Sequence, residues 1–208
     1  MSKCEVIFAR ALSRGIILEE IIEKILEDSL KVKTTFVRDN GSSLILLAEK
    51  IAQAFTSDRK LMLCGNGGSA ADSQHIAAEF VNRFMLERPP LPALALTTDT
   101  SIITCIGNDY SFDEIFSKQV KALGMEGDVL LAISTSGNSK NVLMAAKDAR
   151  ARGIYVAGLM GGDGGKLADQ VDTALVVNSE VTARVQETHI LAGHILCQLV
   201  DHVLFQNH

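Results

Sequence analysis

LMLCGNGGSAADSQHIAAEF (Leu61–Phe80) holds a short apolar run, a glycine-rich turn and a helical pattern in immediate succession. LMLC (Leu61–Cys64) is short, apolar throughout and stopped by Gly65, which predicts a buried strand. Helical spacing follows over Ala70–Phe84. The same unit recurs downstream. ALAL (Ala93–Leu96), VLLAI (Val129–Ile133), IYVAGL (Ile154–Leu159) and ALVV (Ala174–Val177) predict further strands. Phe112–Leu123, Asn141–Arg152 and Ala183–Leu204 predict the helices among them. Apolar strands alternating with helices specify an α/β fold, a parallel sheet flanked by helices on both faces. Ligands in such folds sit outside the carboxyl ends of the strands, so the turns after Cys64 and Ile133 are the places to search.

Upstream, Ile17, Leu18, Ile21, Ile22, Ile25 and Leu26 recur at helical spacing within a helix expected over 16–38. Asp39-Asn40-Gly41 is expected to stop it, and Ser42 or Ser43 to cap a second helix reaching about Phe55. The expectation is therefore an N-terminal helical hairpin over 1–56, packing on the domain or on another subunit. The α/β domain would span 57–208.

Composition narrows the function. The 208 residues are 47% hydrophobic and 22% charged, which excludes a disordered chain. Aromatics are 5% and Trp is absent, so the core is aliphatic. Twenty basic residues are scattered among 25 acidic ones for a net charge of −5, which argues against a nucleic-acid binder. No uninterrupted apolar run reaches the ~18 residues of a membrane span, and the first residues lack a signal-peptide pattern. Cys4, Cys64, Cys105 and Cys197 are widely spaced without a CxxC pair, which reads as reduced thiols in a cytoplasmic protein.

Four features can carry chemistry. Gly65-Asn66-Gly67-Gly68-Ser69-Ala70 lets backbone approach a ligand and aims helix N-terminal amides at an anion. It also fits a dinucleotide fingerprint, but no acidic residue follows at the expected distance. An ordinary tight turn would use the same small residues. Ser134-Thr135-Ser136-Gly137-Asn138-Ser139 offers four hydroxyls around one glycine at another strand-to-helix turn. That set suits a phosphate held by neutral donors, and without a P-loop Lys it does not suit triphosphate hydrolysis. His75 and Glu79, four apart on one helix face, can share a metal ion, supply a base and its partner, or form a plain surface pair. On the last helix Gln186 and His194 are eight apart, about 80° around the axis, so both can face one site. His189 and His202 read as structural, and the terminal His208 as disordered.

CGNGGSAADSQHIAAEFVNRF (Cys64–Phe84), IGNDYSFDEIFSKQV (Ile106–Val120), LLAISTSGNSKNV (Leu130–Val142) and ARVQETHILAGH (Ala183–His194) together resemble the sugar isomerase (SIS) domain family. Within it they are most similar to the bacterial phosphoheptose isomerases. The resemblance runs from about Leu18 to Leu204, and residues 1–15 fall outside it. It implies a flavodoxin-like doubly wound sheet and a cytoplasmic homotetramer with active sites at subunit interfaces. It also implies one zinc ion per subunit. The implied reaction converts sedoheptulose 7-phosphate to D-glycero-D-manno-heptose 7-phosphate through a cis-enediol(ate), the first step of ADP-heptose synthesis for lipopolysaccharide core. By the same resemblance His75, Glu79, Gln186 and His194 match metal ligands, and Glu79 and His194 the acid/base pair. Asn66, Gly67, Gly68, Asn108 and Asp109 match sugar contacts, while Ser69, Ser134, Thr135, Ser136 and Ser139 match the phosphate cradle. A Glu that holds zinc is a poor free base, so the two roles of Glu79 are in tension.

A second resemblance points elsewhere. ERPPLPALALTTDT (Glu87–Thr100) and KQVKALGMEGDVLLAIST (Lys118–Thr135) are similar to non-catalytic SIS proteins that bind the replication initiator. The joint presence of His75, Glu79, Gln186 and His194 favours the enzyme.

Overall fold

The computed structural model describes the backbone of residues 3–206 and the side chains of residues 17–206. The expectation for His208 lies outside them. The elements run α1 (Lys3–Thr56), β1 (Leu61–Cys64), α2 (Gly68–Val81), β2 (Ala93–Ala95), α3 (Thr100–Asp109) and, after a 3-10 turn at Phe112–Glu114, α4 (Ile115–Leu123). There follow β3 (Val129–Ser134), α5 (Lys140–Ala151), β4 (Tyr155–Gly161), α6 (Gly165–Ala168), β5 (Thr173–Val177) and α7 (Thr182–Phe205).

All five strands pair in parallel in the order β2-β1-β3-β4-β5, the flavodoxin-like doubly wound arrangement. Each strand serves two cores, because successive side chains point to opposite faces. Leu61, Leu63, Leu131 and Ile133 pack toward α1, α2 and α7. Met62, Cys64, Leu130 and Ala132 pack toward α4 and α5. That double burial is why the strands are apolar throughout. The order of strands reverses at β1, so the switch point lies between β1 and β3.

The hairpin expected over 1–56 is replaced by one continuous 54-residue helix, α1. Asn40-Gly41 does not stop it. Glycine inside a helix costs about 1 kcal/mol, and a tertiary contact overrides that cost. Asn40 is buried and its amide pairs with the free edge of β5: Nδ2 donates to Val176 O at 3.4 Å and Oδ1 accepts from Val176 N at 3.3 Å. Beyond it Leu44, Leu47, Ala48 and Ile51 are buried in the core. Two helices had no counterpart in the sequence patterns: α3, capped by Asp99, which accepts from Ile102 N at 2.9 Å, and the short α6.

α7 is long and apolar enough to cross a membrane by length and composition. It instead packs on α1, α2 and the sheet, with Val185, Ala192, Leu196, Cys197 and Val200 buried.

Candidate functional site

The glycine-rich turn connects β1 to α2 with almost no linker. A Cβ at Gly65 would lie 2.7 Å from the Ser69 Cβ and 2.8 Å from its carbonyl oxygen, so only glycine lets the helix begin this close to the strand. Gly67 sits at φ +55° as the N-cap of α2, and Ser69 is buried in the first turn. Gly67 and Gly68 are exposed, leaving backbone amides of a helix start open to an anion.

The Ser/Thr loop after β3 is braced from behind. Gly161 N donates to Thr135 O at 3.1 Å, Leu167 N to Gly137 O at 3.0 Å and Lys166 N to Asn138 Oδ1 at 3.2 Å. Gly137 has φ +62°, and a Cβ there would overlap Gly164 O. The Ser134 and Ser139 hydroxyls stand 3.0 Å apart, and Ser136 Oγ accepts from Asn138 N at 3.2 Å. These groups frame the mouth of α5. Beside them a cavity of about 410 Å³ is lined by Thr135, Ser136 and Asn138 on one side and Asp163 and Glu180 on the other.

The two loops meet through a pair of amides. Asn66 Nδ2 donates to Asn141 Oδ1 at 2.9 Å, and Asn141 Nδ2 donates back to Asn66 Oδ1 at 2.8 Å. Asn141 is buried and had not been singled out in the sequence. Its only sequence signal is its place at the start of a helix behind the hydroxyl cluster.

The third part lies where α2 crosses α7. His75 Nε2 and His194 Nε2 are 2.9 Å apart, and His75 Nε2 is 3.5 Å from Glu79 Oε1. Phe84 stacks on the His194 ring at 5.2 Å between centroids, holding its plane. One of the two facing nitrogens must carry the proton between them, and a cation displacing that proton would find two lone pairs already converging. Two ligands of a tetrahedral zinc would stand roughly 3.3 Å apart, close to this separation. Among the described residues, no group of three or more His, Cys, Asp or Glu side chains surrounds a common point. Gln186 sits over Gly68 instead, where a Cβ would overlap its side-chain amide. Asn108 and Asp109 are exposed at the end of α3 and pair with each other at 2.8 Å. No hydrogen bond among the described residues joins either to Asn66, Gly67 or Gly68.

Asp72, one turn before His75, was also missed. Burial pushes its carboxyl up to about 6, against the pull of His75, and its Oδ2 is buried without a partner among the described residues. His189 is buried with neither ring nitrogen partnered among the described residues, and His202 pairs with Gln206 at 3.0 Å.

The SIS domain pattern matches residues 26–161. A phosphoheptose isomerase of Nitratidesulfovibrio vulgaris (strain Miyazaki F) is 53% identical over 195 residues, covering 94% of this chain and 91% of the relative. One of Thermodesulfovibrio yellowstonii is 51% identical over 189 residues, covering 91% and 94%. Among solved structures, the phosphoheptose isomerase of Neisseria gonorrhoeae aligns with TM-score 0.83 at 47% identity, covering 88% of this chain and 98% of that one. That of Francisella tularensis aligns with TM-score 0.85 at 39% identity, covering 88% and 97%.

Proposed function

The chain belongs to the SIS domain family, among its phosphoheptose isomerases, and from that premise we infer that it interconverts sedoheptulose 7-phosphate and D-glycero-D-manno-heptose 7-phosphate. The observation that carries the site assignment is the pairing of His75 with His194 at 2.9 Å and with Glu79 at 3.5 Å where α2, the helix opened by the glycine turn, meets α7.

In this reading the Ser134, Thr135, Ser136 and Ser139 loop, with Ser69 and the exposed amides of α2, holds the phosphate. Binding energy from that distant handle fixes the reacting carbons. Asn66, Gly67 and Gly68, with Asn108 and Asp109, contact the sugar. Glu79 takes a proton from C1 of the ketose, and the released electron pair forms the C1–C2 double bond. His194 gives a proton to the C2 oxygen, so a cis-enediol results. Return of a proton to C2 and loss of the O1 proton complete the aldose.

We assign one zinc ion per subunit to His75, Glu79, Gln186 and His194, with Glu79 leaving the ion during turnover to act as the base. When bound, the ion supplies a Lewis acid for the enediolate oxygen. Two imidazoles with convergent nitrogens and a nearby carboxylate support the assignment. Assembly as a homotetramer with sites at subunit interfaces accounts for the exposed apolar side of α1. The free thiols of Cys64, Cys105 and Cys197 suit the cytoplasm.

The alternative of a non-catalytic SIS protein that binds the replication initiator is not favoured, since the similar curated proteins carry isomerase names. The deciding experiment is an isomerisation assay on sedoheptulose 7-phosphate with wild type and Glu79→Gln. Activity in the first and a loss of at least about 100-fold in the second are expected. No turnover of a seven-carbon ketose phosphate by wild type would overturn the reading.

A further inference from the structure

The last turn of α2 carries Glu79; there Asn82 N donates to Ala78 O at 2.9 Å and Leu91 N to Phe80 O at 3.1 Å, which leaves the Glu79 carbonyl without a backbone partner among the described residues. Neither a glycine nor a left-handed residue closes it; Asn82 follows at φ −91° and ψ −95°. Arg88 does so from the loop beyond. Its guanidinium donates from one terminal nitrogen to Glu79 O at 3.0 Å and from the other to Phe80 O at 2.7 Å. Its Nε donates to Asp201 Oδ1 at 2.8 Å, and Asp201 lies on α7. The side chains are 1% and 5% exposed, so both charges are out of water.

Asp201 follows His194 by seven residues, two turns along the same stripe of α7. Cys197 lies between them and registers the same junction. Its thiol is pushed up to about 12 by burial first, then by the charges of Glu79 and Asp201, with Arg88 pulling it down. A buried ion pair is poor value as a mere brace, because apolar side chains of equal volume hold helices together as well. Here Asp201 Oδ2 is even left without a partner among the described residues. What an apolar pair cannot do is bond the carbonyl of Glu79.

We propose that Arg88 and Asp201 are positioning residues of the isomerisation: by locking the last turn of α2 to α7, they fix where the Glu79 carboxylate stands relative to His194. This rests on the acid/base assignment above.

The test is steady-state kinetics of the full chain carrying Arg88→Lys, Asp201→Asn or Asp201→Glu, each alone and combined with Glu79→Gln. Arg88→Lys and Asp201→Asn are expected to lower kcat about 10-fold or more, while KM stays within about twofold because the phosphate is held at β3. Asp201→Glu, which keeps the carboxylate, should recover most of the rate. On the Glu79→Gln background neither variant should lower kcat further. Unchanged kcat in the single variants, or the same fractional loss with and without the Glu79 carboxylate, overturns the proposal. If Arg88→Lys does not fold, the near-isosteric Asp201→Asn decides. Failure of the acid/base assignment itself shows separately, as full activity of Glu79→Gln alone.

Discussion

Gly193 of α7 is packed against Ile76 of α2 so tightly that a Cβ at 193 would lie 2.5 Å from the Ile76 Cδ1 atom and 2.6 Å from its Cγ1. Ile76 is fully buried. The residues next in sequence are His75 and His194, whose nitrogens meet at 2.9 Å. A glycine in the middle of a 24-residue helix costs about 1 kcal/mol against alanine. The close approach of two helices is what that cost obtains.

Gly193→Ala follows directly. Helix propensity favours the alanine, but forcing a methyl into this contact costs about 1–3 kcal/mol. The helices must part by a fraction of an ångström or more. We expect a folded protein with lowered Tm and a drop in kcat/KM on the order of 10-fold or more, since small misplacements of reacting groups are expensive. A variant with wild-type kinetics would show that the helix spacing does not set the histidine geometry.

The phosphate cradle gives a prediction of the opposite kinetic form. Ser134 and Ser136 hydroxyls are held by Ser139 and by Asn138 N, not by the core, so removing them leaves the loop braced through its backbone. Ser134→Ala with Ser136→Ala should fold normally and raise KM steeply. Each hydrogen bond lost to a charged group costs about 1.5–3 kcal/mol. An unchanged KM would move the phosphate elsewhere.

How much of this was legible in the sequence varies with the range of the interactions. β1 matched its predicted bounds because Leu61–Cys64 is buried on both faces and needs no partner to be recognised. The break expected at Asn40-Gly41 did not occur, because the deciding contact is with Val176, 136 residues away. α3 escaped notice because its apolar stripe, Ile102, Ile103 and Ile106, spans little more than one turn. His75, Glu79, Gln186 and His194 stood out by residue type and spacing. Asn141, Phe84 and Arg88 did not, since their roles depend on partners brought near only by folding.

His189 sets an expectation for pH. Burial, opposed only in part by the nearby Met160 backbone, lowers its pKa from 6.5 to about 4. The folded state therefore keeps it neutral where the unfolded chain takes up a proton. Its contribution to stability is complete above pH 6.5 and is lost as pH falls toward 4, by up to about 1.4 kcal/mol per pH unit. His189→Leu, which cannot take up that proton in either state, should flatten the acid side of a stability-versus-pH curve measured by urea denaturation. An acid limb as steep as that of wild type would assign the loss to other groups.

The last prediction concerns assembly. Along the first half of α1, Ile17, Leu18, Ile21, Ile22, Ile25, Leu26 and Leu30 are all about half exposed. α7 holds the other flank of the same stretch: Arg184 donates to Ile25 O at 2.6 Å, and Ser29 Oγ donates to Glu187 Oε2 at 2.6 Å. The helix is thus fixed in place while presenting an apolar stripe that no part of its own chain covers among the described residues. Deleting α1 is the wrong test, because Phe36, Leu44, Leu47 and Ile51 belong to the core and their loss would unfold the protein. Ile21→Glu with Ile25→Glu keeps the core and charges only the exposed side. Light scattering should then report monomers or dimers in place of a tetramer, with circular dichroism unchanged. If the sites lie between subunits, isomerase activity should fall with the tetramer fraction. A tetramer that survives both substitutions would place the interface on another surface.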